Sequence, residues 1–490
     1  MPEFDCDVLI VGGGPTGVTL ALIAARHGAS VIVCEREAEI YPLPRAAHVD
    51  HEVMRIFQSV GAAEAIAATS RTTTHYDFLT TSGEILLRFE GSDRIGPGGW
   101  PSANMIHQPS VERTLRAELA RTGRAELRSE WRFTGYGETA DGVAATFATS
   151  DGEQTLRARW LVGADGTRSP VRDAAGIALD DLQFDEPWLV IDTIVQDFSR
   201  LPPVNLQICD PARPTTCVLM GEGRHRWEFM LLPGETAEQV TDDAFIATLL
   251  APWDVTGAVT LERKAVYRFN ARVAKEWRKG RVLLAGDAAH QTPPFAGQGM
   301  CAGIRDAANL GWKLGMIAQD QADAALLDSY QVEREPHVRA TIALAIMMGQ
   351  TVCITDPQAA AARDQQMLAA RAAGQSPDGA VEFPPLADGF ILHGAPAAGS
   401  YFPQFIAADG ARMDDALGDR GWLIGTAAAG IAVPPGLTAH TLTDPHLAPW
   451  QARLAQWLAD HGAEAVLVRP DRQVFGSSTA ATLLDAWAGR

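Results

Sequence analysis

The segment "DVLIVGGGPTGVTLALIAARHGASVIVCERE", residues 7–37, constrains the fold more than any other stretch of the chain. Asp7 to Val11 is a short apolar run of the kind that forms a buried parallel strand, and Gly12, Gly14 and Gly17 follow it with the spacing G-x-G-x-x-G. The first glycine permits a sharp turn. The second lets the backbone approach a pyrophosphate that the next helix N-terminus stabilises, and the third lets that helix sit close to the strand. Gly28 then stops the helix, and a second strand, Ser30 to Cys34, delivers Glu35 to its carboxyl end. An acid about 20 residues beyond the fingerprint binds a ribose hydroxyl and repels a 2′-phosphate, so the site suits NAD or FAD rather than NADP. A glycine-rich turn without a ligand is the plain alternative; the ordered succession of strand, helix, strand and acid argues against it.

A chain of 490 residues has room for two or three domains and a large core. Hydrophobic residues make up 47% and charged residues 21%, the composition of a globular protein, and the formal net charge of −19 argues against nucleic acid and anionic membrane as partners. Anionic ligands need only a local basic pocket. No apolar run approaches the ~20 residues of a membrane span and no signal-type leader precedes the first strand, so a cytoplasmic protein is expected. The six cysteines, at 6, 34, 209, 217, 301 and 353, form no CxxC pair and read as reduced, buried thiols.

Pattern divides the rest of the chain. "SVERTLRAELART" at 110–122 reads as a helix capped by Ser110, and "VAATFAT" and "QTLRARWLVGADG" alternate like strands. Stretches from 182 to 268 predict an antiparallel sheet interrupted by prolines and glycines, 281–286 returns to the buried parallel type, and 298–350 is mostly helical. The expected organisation is α/β: a Rossmann-like dinucleotide domain over 1–181, with a substrate-side insertion near 76–105, resumed over 269–373. Between these parts lies a substrate-binding sheet domain, 182–268, and after them a linker, 374–389, and a separate α/β unit, 390–490.

Two further motifs carry chemistry. "WLVGADGTRSPVRDAAGI" at 160–177 is a strand ending in Asp165-Gly166 and turning into a helix, and "RVLLAGDAAHQTPPFAGQGMCAGIRDAANLGWKL" at 281–314 again reads strand, Gly-Asp, loop and helix. Each alone is compatible with an ordinary corner capped by an aspartate. In this order, after the amino-terminal fingerprint, they resemble the FAD-dependent aromatic hydroxylases, single-component flavoprotein monooxygenases of the para-hydroxybenzoate hydroxylase fold, over residues 1 to about 350.

The resemblance implies that Gly12, Gly14, Gly17 and Glu35 bind the ADP half of FAD, that Asp165 and Gly166 lie near FAD and the route of the nicotinamide, and that Asp287 holds the ribityl chain. A carboxylate suits sugar hydroxyls because it accepts their hydrogen bonds. Arg45 and Gln108 match family residues at the cofactor. Pro294 matches a proline whose carbonyl meets the substrate hydroxyl, and Gly297, Gly299 and Met300 open a helix whose N–H groups stabilise negative charge on reduced flavin. The reaction implied is reduction of FAD by NADH or NADPH, formation of a C4a-hydroperoxide with O2, and oxygen transfer to a phenolic ring. With no second glycine fingerprint, the nicotinamide is expected to dock transiently, with Arg45, Arg168 and Arg172 as contacts. The base that deprotonates the phenol is open among His48, His75 and His107, each of which also reads as structural, and His290 braces its loop.

"CDPARP", "RWEFMLLPGET", "YRFNARVA" and "GIRDAANLGWKL" resemble the branch of 3-(3-hydroxyphenyl)propionate hydroxylases, which implies a phenolic acid converted to a catechol; a buried carboxylate needs a cationic partner, for which Arg268 and Arg272 are the nearest candidates, or else two surface arginines flanking Asn270. A larger polycyclic phenol, or an aromatic ligand bound without turnover, stays open. The carboxy-terminal unit resembles the thioredoxin-like domain of related hydroxylases without its redox cysteines, which leaves it packing or homodimer formation.

Overall fold

The computed structural model describes residues 4–376, 378, 384–426 and 430–489, so part of the expected linker at 374–389 lies outside the described residues. A parallel sheet forms the centre, with strands in the order Val282–Leu284, Gly152–Gly163, Cys6–Val11, Val31–Cys34 and Ala125–Arg128. Parallel sheets need cover on both faces, which explains why Val8, Leu9 and Ile10 are all fully buried. The helices Pro15–Arg26 and Gly299–Ala318 pack against one another beside it. Because these strands run the same way, their carboxyl ends lie along one edge. The fingerprint, Glu35, Asp165 and Asp287, far apart in the chain, therefore meet there.

The second sheet has eight strands, in the order His290–Gln291, Val259–Ala274, Leu179–Val195, Arg224–Met230, Thr215–Leu219, Asn205–Ile208, His75–Leu79 and Ile85–Glu90. The expected antiparallel sheet is mixed at one join, since Asn205–Ile208 pairs parallel with His75–Leu79. A pairing between segments over 120 residues apart leaves no local trace in either one. The helix expected from Ser110 begins instead at Gln108 and ends at Leu119, because Pro109 pre-sets the first turn and His107 takes the capping position. Ser110 lies inside the helix and bonds the His107 ring at 2.8 Å.

The carboxy-terminal unit holds a four-stranded sheet in the order Leu437–Thr441, Gly421–Gly425, Ala465–Val468, Val474–Ser478, the first pair parallel and the others antiparallel, with helices Gln451–Asp460 and Ala480–Ala488. This is a thioredoxin-like arrangement with no cysteine in it. Its Leu423, Leu467, Phe475 and Trp487 belong to the same core as Trp312 and Leu310 of the helix Gly299–Ala318. Buried ion pairs reinforce that junction: Glu333 meets Arg469 at 2.8 Å and Lys313 at 2.9 Å, and Asp414 meets Arg55 at 2.7 Å and Arg472 at 2.9 Å. All six cysteines are free thiols, five of them buried, and burial pushes Cys6 and Cys34 up to about 12, as unreactive thiols require. Among the described residues, no single helix is long and apolar enough to cross a membrane.

Candidate active site

The edge where the strand ends meet opens into one cavity of about 1860 Å³, which continues under the second sheet. Single small-molecule sites span roughly 300–1,000 Å³, so this space accommodates a large cofactor and a second ligand together. Gly12 sits at φ +113°, and a Cβ there would lie 2.3 Å from the Ala164 carbonyl oxygen. A Cβ on Gly17 would lie 2.0 Å from the Gly12 oxygen, so Gly17 is the packing glycine and does not line the cavity. At Gly14 a Cβ would meet nothing within 4 Å; its missing side chain leaves open space against the helix N-terminus. Glu35 is held ready by the Gly13 N–H, which donates to one carboxylate oxygen at 2.7 Å, and by the Glu37 N–H to the other at 3.0 Å.

Gln108 is buried and makes a junction. Its carbonyl oxygen accepts from the Arg45 and Ala46 N–H groups at 3.2 and 2.7 Å, while its amide donates to Glu112 at 2.7 Å. This fixes the Arg45 loop, leaving the Arg45 side chain exposed at the cavity. Ser169 caps the helix Pro170–Ala174, while Asp165 in the cavity wall accepts from its Val171 N–H at 3.0 Å; burial pushes the Asp165 carboxyl up. Gly166 adopts φ +84°, which a side chain would strain. Of the three arginines expected to meet the nicotinamide cofactor, Arg172 is instead buried, donating to the Ala288 and Thr167 carbonyls at 3.1 Å, whereas Arg45 and Arg168 are exposed.

Asp287 accepts no hydrogen bond from any described residue, and its carboxylate faces the cavity. The surrounding protein displaces water from it although it stays exposed to the cavity, and this desolvation pushes its pKa up, opposed by His290 and Arg45. His290 braces the loop through Asp306 at 2.6 Å, and Asp306 also accepts from Arg334 at 2.9 Å and from the Gly286 N–H at 3.0 Å. Beyond it, the Pro294 carbonyl accepts from the Gly297 N–H at 2.8 Å, which uses one of its two lone pairs. Gly297 is at φ +64° against the His48 ring, and the helix that follows starts at Gly299 and Met300 on the cavity wall. Of His48, His75 and His107, only His48 lines the cavity. Burial lowers its pKa, and its Nδ1–H faces the Gly297 carbonyl at 3.3 Å, which leaves Nε2 as a free acceptor.

The opposite wall is the second sheet. Cross-strand pairing lays Arg263, Asp192 and Arg226 in one row and Val190, Glu228, Thr216 and Gln207 in the next. Asp192 accepts from Arg226 at 2.6 Å and from Arg263 at 3.3 Å, yet Nε and Nη2 of buried Arg263 have no hydrogen-bond partner. Gln207 accepts from Thr216 at 2.7 Å and donates to the Tyr76 hydroxyl at 2.5 Å, so the Tyr76 proton is spare. Phe89, Phe269 and Phe295 supply apolar surface. Tyr76, Gln207 and Arg263 carry no sequence signal that separates them from ordinary strand residues.

Against known proteins, residues 5–345 match the family model described as FAD binding domain. The chain belongs to this family. Among its relatives, a probable NADH-specific resorcinol 4-hydroxylase of Rhodococcus jostii strain RHA1 is 38% identical, covering 96% of this chain and 91% of the relative. A 3-(3-hydroxy-phenyl)propionate/3-hydroxycinnamic acid hydroxylase of Mycobacterium sp. strain JLS is 40% identical, covering 74% of this chain but 63% of the relative. Several such propionate hydroxylases extend well beyond the part this chain matches. Among solved structures, aklavinone-11 hydroxylase with FAD and aklavinone superposes with a TM-score of 0.79 at 25% identity, covering 99% of both chains. The flavin-dependent monooxygenase PieE, at 0.83 and 22% identity, shares the fold over 99% of both.

As a member of the FAD-binding family the chain takes FAD as its cofactor, and its class is the FAD-dependent aromatic-ring monooxygenases. The cavity fits the group: open space at Gly14, an acid at Glu35 and an unpartnered carboxylate at Asp287 stand along one edge. Arg268 and Arg272, expected as partners for a substrate carboxylate, line the cavity but have carboxylate partners within the chain. Both lie at the cavity mouth, 61% and 38% exposed, and already pair with Asp185 at 2.7 Å and Asp181 at 3.1 Å. Exposed pairs of this kind contribute about 0–1 kcal/mol. Arg268→Met and Arg272→Met are therefore expected to change kcat/KM for a phenolic acid by less than about two-fold, and a larger loss in steady-state assays would return the carboxylate to them.

Proposed function

We propose that the protein hydroxylates a small monocyclic phenol of the resorcinol class, using NADH as reductant, with Tyr76 as a recognition residue for a ring hydroxyl. The observation that carries this reading is the continuity of one cavity from the Gly14 cradle to the Tyr76–Gln207–Thr216 wall. The near full-length match to a probable NADH-specific resorcinol hydroxylase supports the same substrate class. FAD, when bound, supplies the chemistry that takes electrons from the nicotinamide and activates oxygen. The chain's own residues orient the ring and exclude water. The aromatic side chains Phe89, Phe269 and Phe295 offer surface for the ring, and the spare proton of Tyr76 suits a substrate oxygen. Burial holds the Tyr76 hydroxyl well above the usual phenol range, which keeps that proton in place at neutral pH. Nε2 of His48 and the remaining lone pair of Pro294 are the acceptors we assign to the phenol proton and a ring hydroxyl.

A second reading, a hydroxyphenyl acid, is favoured by the two unpartnered donors of Arg263, a buried cation on the cavity wall. The test is a panel of resorcinol, 3-(3-hydroxyphenyl)propanoate and polycyclic phenols with the FAD-loaded protein, following substrate-dependent NADH oxidation and seeking products one oxygen atom heavier by mass spectrometry. Turnover of resorcinol in preference to the acid is expected; efficient turnover of polycyclic phenols alone would overturn both readings. Tyr76→Phe should raise KM for the preferred phenol by roughly two- to ten-fold, the equivalent of about 0.5–1.5 kcal/mol for one hydrogen bond, with FAD content unchanged.

A further inference from the structure

The carboxy-terminal unit carries no redox cysteine, yet one turn at the edge of its sheet gathers a different set of ligands. The strand Leu437–Thr441 ends the sheet on one side. Immediately after it the chain reverses through a tight turn, in which the Asp444 N–H donates to the Thr441 carbonyl at 2.8 Å and the Thr441 N–H donates back to the Asp444 carboxylate at 2.8 Å. That reversal brings His440, Asp444 and His446 together, with one ligand atom from each lying within 4.8 Å of the others. Nδ1 of His440 is 3.1 Å from Nε2 of His446. Two imidazole nitrogens on one tetrahedral zinc ion, each at about 2.0 Å, stand roughly 3.3 Å apart.

We propose that His440, Asp444 and His446 form a binding site for Zn2+ that pins the edge strand to the following helical turn. Thr438 can hold His440 in the tautomer that zinc requires. The Thr438 hydroxyl faces the Gly421 carbonyl at 3.4 Å and the His440 Nε2 at 2.9 Å. With its proton directed to Gly421, Thr438 accepts from Nε2–H, and Nδ1 is left as the lone pair directed at the site. This is the arrangement by which an outer partner orients a metal-binding histidine. Asp444 contributes similarly: it begins the short helix Pro445–Leu447 without capping it, and with one oxygen on the Thr441 N–H the carboxylate keeps acceptor capacity for a cation. Two imidazoles and one carboxylate select zinc and its transition-metal neighbours over Mg2+ and Ca2+, which take oxygen ligands. His446 is exposed, so the fourth position is open to water. None of the three residues lines the active-site cavity, and the site stands apart from the chemistry proposed above.

The test uses the FAD-loaded protein, treated with chelator, dialysed, and titrated with ZnCl2 in equilibrium dialysis with metal analysis. Saturable uptake of one zinc per chain is expected, and Co2+ in its place should give the visible absorption of a tetrahedral ion. His446→Gln and Asp444→Asn should each weaken uptake by at least about ten-fold, and Thr438→Val by a similar factor through loss of the His440 tautomer. Because His446 is exposed, its variant should keep its flavin content and its thermal unfolding without metal. The paired histidines would be a plain imidazole hydrogen bond, and the proposal would fail, if the wild type shows no saturable uptake. Uptake that persists unchanged in a His440→Gln, His446→Gln double variant would likewise place the metal elsewhere and overturn it.

Discussion

Gly14→Val is expected to fold, to purify without colour, and to retain less than about one hundredth of the wild-type affinity for FAD. The backbone at Gly14 has φ −79° and ψ −176°, a conformation open to any residue, and a Cβ there meets no protein atom within 4 Å. The chain therefore tolerates the side chain. What does not tolerate it is the pyrophosphate, which must approach the helix N-terminus through that space. Loss of two charge-assisted hydrogen bonds, each worth about 1.5–3 kcal/mol, already exceeds a hundred-fold. Gly17→Ala should behave in the opposite way. Its methyl would lie 2.0 Å from a backbone oxygen that cannot rotate aside, so the strand and helix separate and the protein is expected in the insoluble fraction. Flavin absorbance per chain after dialysis, together with circular dichroism, distinguishes the two. Stoichiometric flavin in Gly14→Val would displace the cofactor from this edge.

Glu333→Ala is expected to cost about 3–5 kcal/mol and to loosen the carboxy-terminal unit from the FAD-binding part. Glu333 is fully buried between Lys313 and Arg469, and it also accepts from the Phe390 N–H at 2.8 Å and from the Asn309 amide at 2.5 Å. Removing it leaves buried Lys313 without its carboxylate partner and Arg469 paired with Asp471, at 2.5 Å. Desolvation already pushes Lys313 down to about 8, with Arg469 adding to the effect and Glu333 opposing it, so the lysine is expected to lose its proton in the variant. Although burial raises them, the charges around Glu333 and Asp414 hold both carboxyls below the usual range: Arg469 and Lys313 for the first, Arg55 and Arg472 for the second. A carboxyl lowered in the folded state stabilises it fully above the unfolded-state pKa, ~4, and loses that contribution as pH falls further towards its folded value. Thermal unfolding should therefore stay level from neutral pH to about 5 and drop below 4, more steeply than in Glu333→Ala, which lacks one of the two lowered carboxyls. Limited proteolysis of the variant at neutral pH should release the carboxy-terminal unit; a single cooperative transition with unchanged midpoint would show that the junction rests on its apolar contacts alone.

Most of the cofactor half was legible because its signals are local. A strand, a turn that only glycine can make and a helix are adjacent in the chain, and their physical requirements are written within a few residues of one another. Gly12, Gly14, Gly17 and Glu35 could be read as parts of one corner, and the structure distinguishes the glycines further: Gly17 packs, whereas Gly14 leaves room. Asp287 was legible only through the family resemblance, since a Gly-Asp corner by itself is equally a cap. Arg172 read as a contact for the nicotinamide, and its burial shows only in the fold, where it donates to the nearby Thr167 carbonyl and to that of Ala288, 116 residues away.

On the substrate side the sequence alone determined that a second sheet exists and that arginines lie on its last long strand. It could not decide which of them turns inward. Arg263 and Arg268 lie an odd number of residues apart on Val259–Ala274, with continuous pairing between them, so they fall on opposite faces; both faces carry arginines, and alternation does not reveal which is covered. Burial of Asp192 opposite Arg263 settles it. The same holds for the Tyr76–Gln207 contact, which spans 131 positions and exists because two strands far apart in the chain pair in parallel inside the sheet. What the sequence by itself determined was thus the dinucleotide-binding corner and the class of fold around it, since both follow from bonds between near neighbours. Which side chains face the second ligand, and how the carboxy-terminal unit is fastened, were decided by tertiary structure, because strand pairing and burial depend on segments that have no knowledge of one another along the chain.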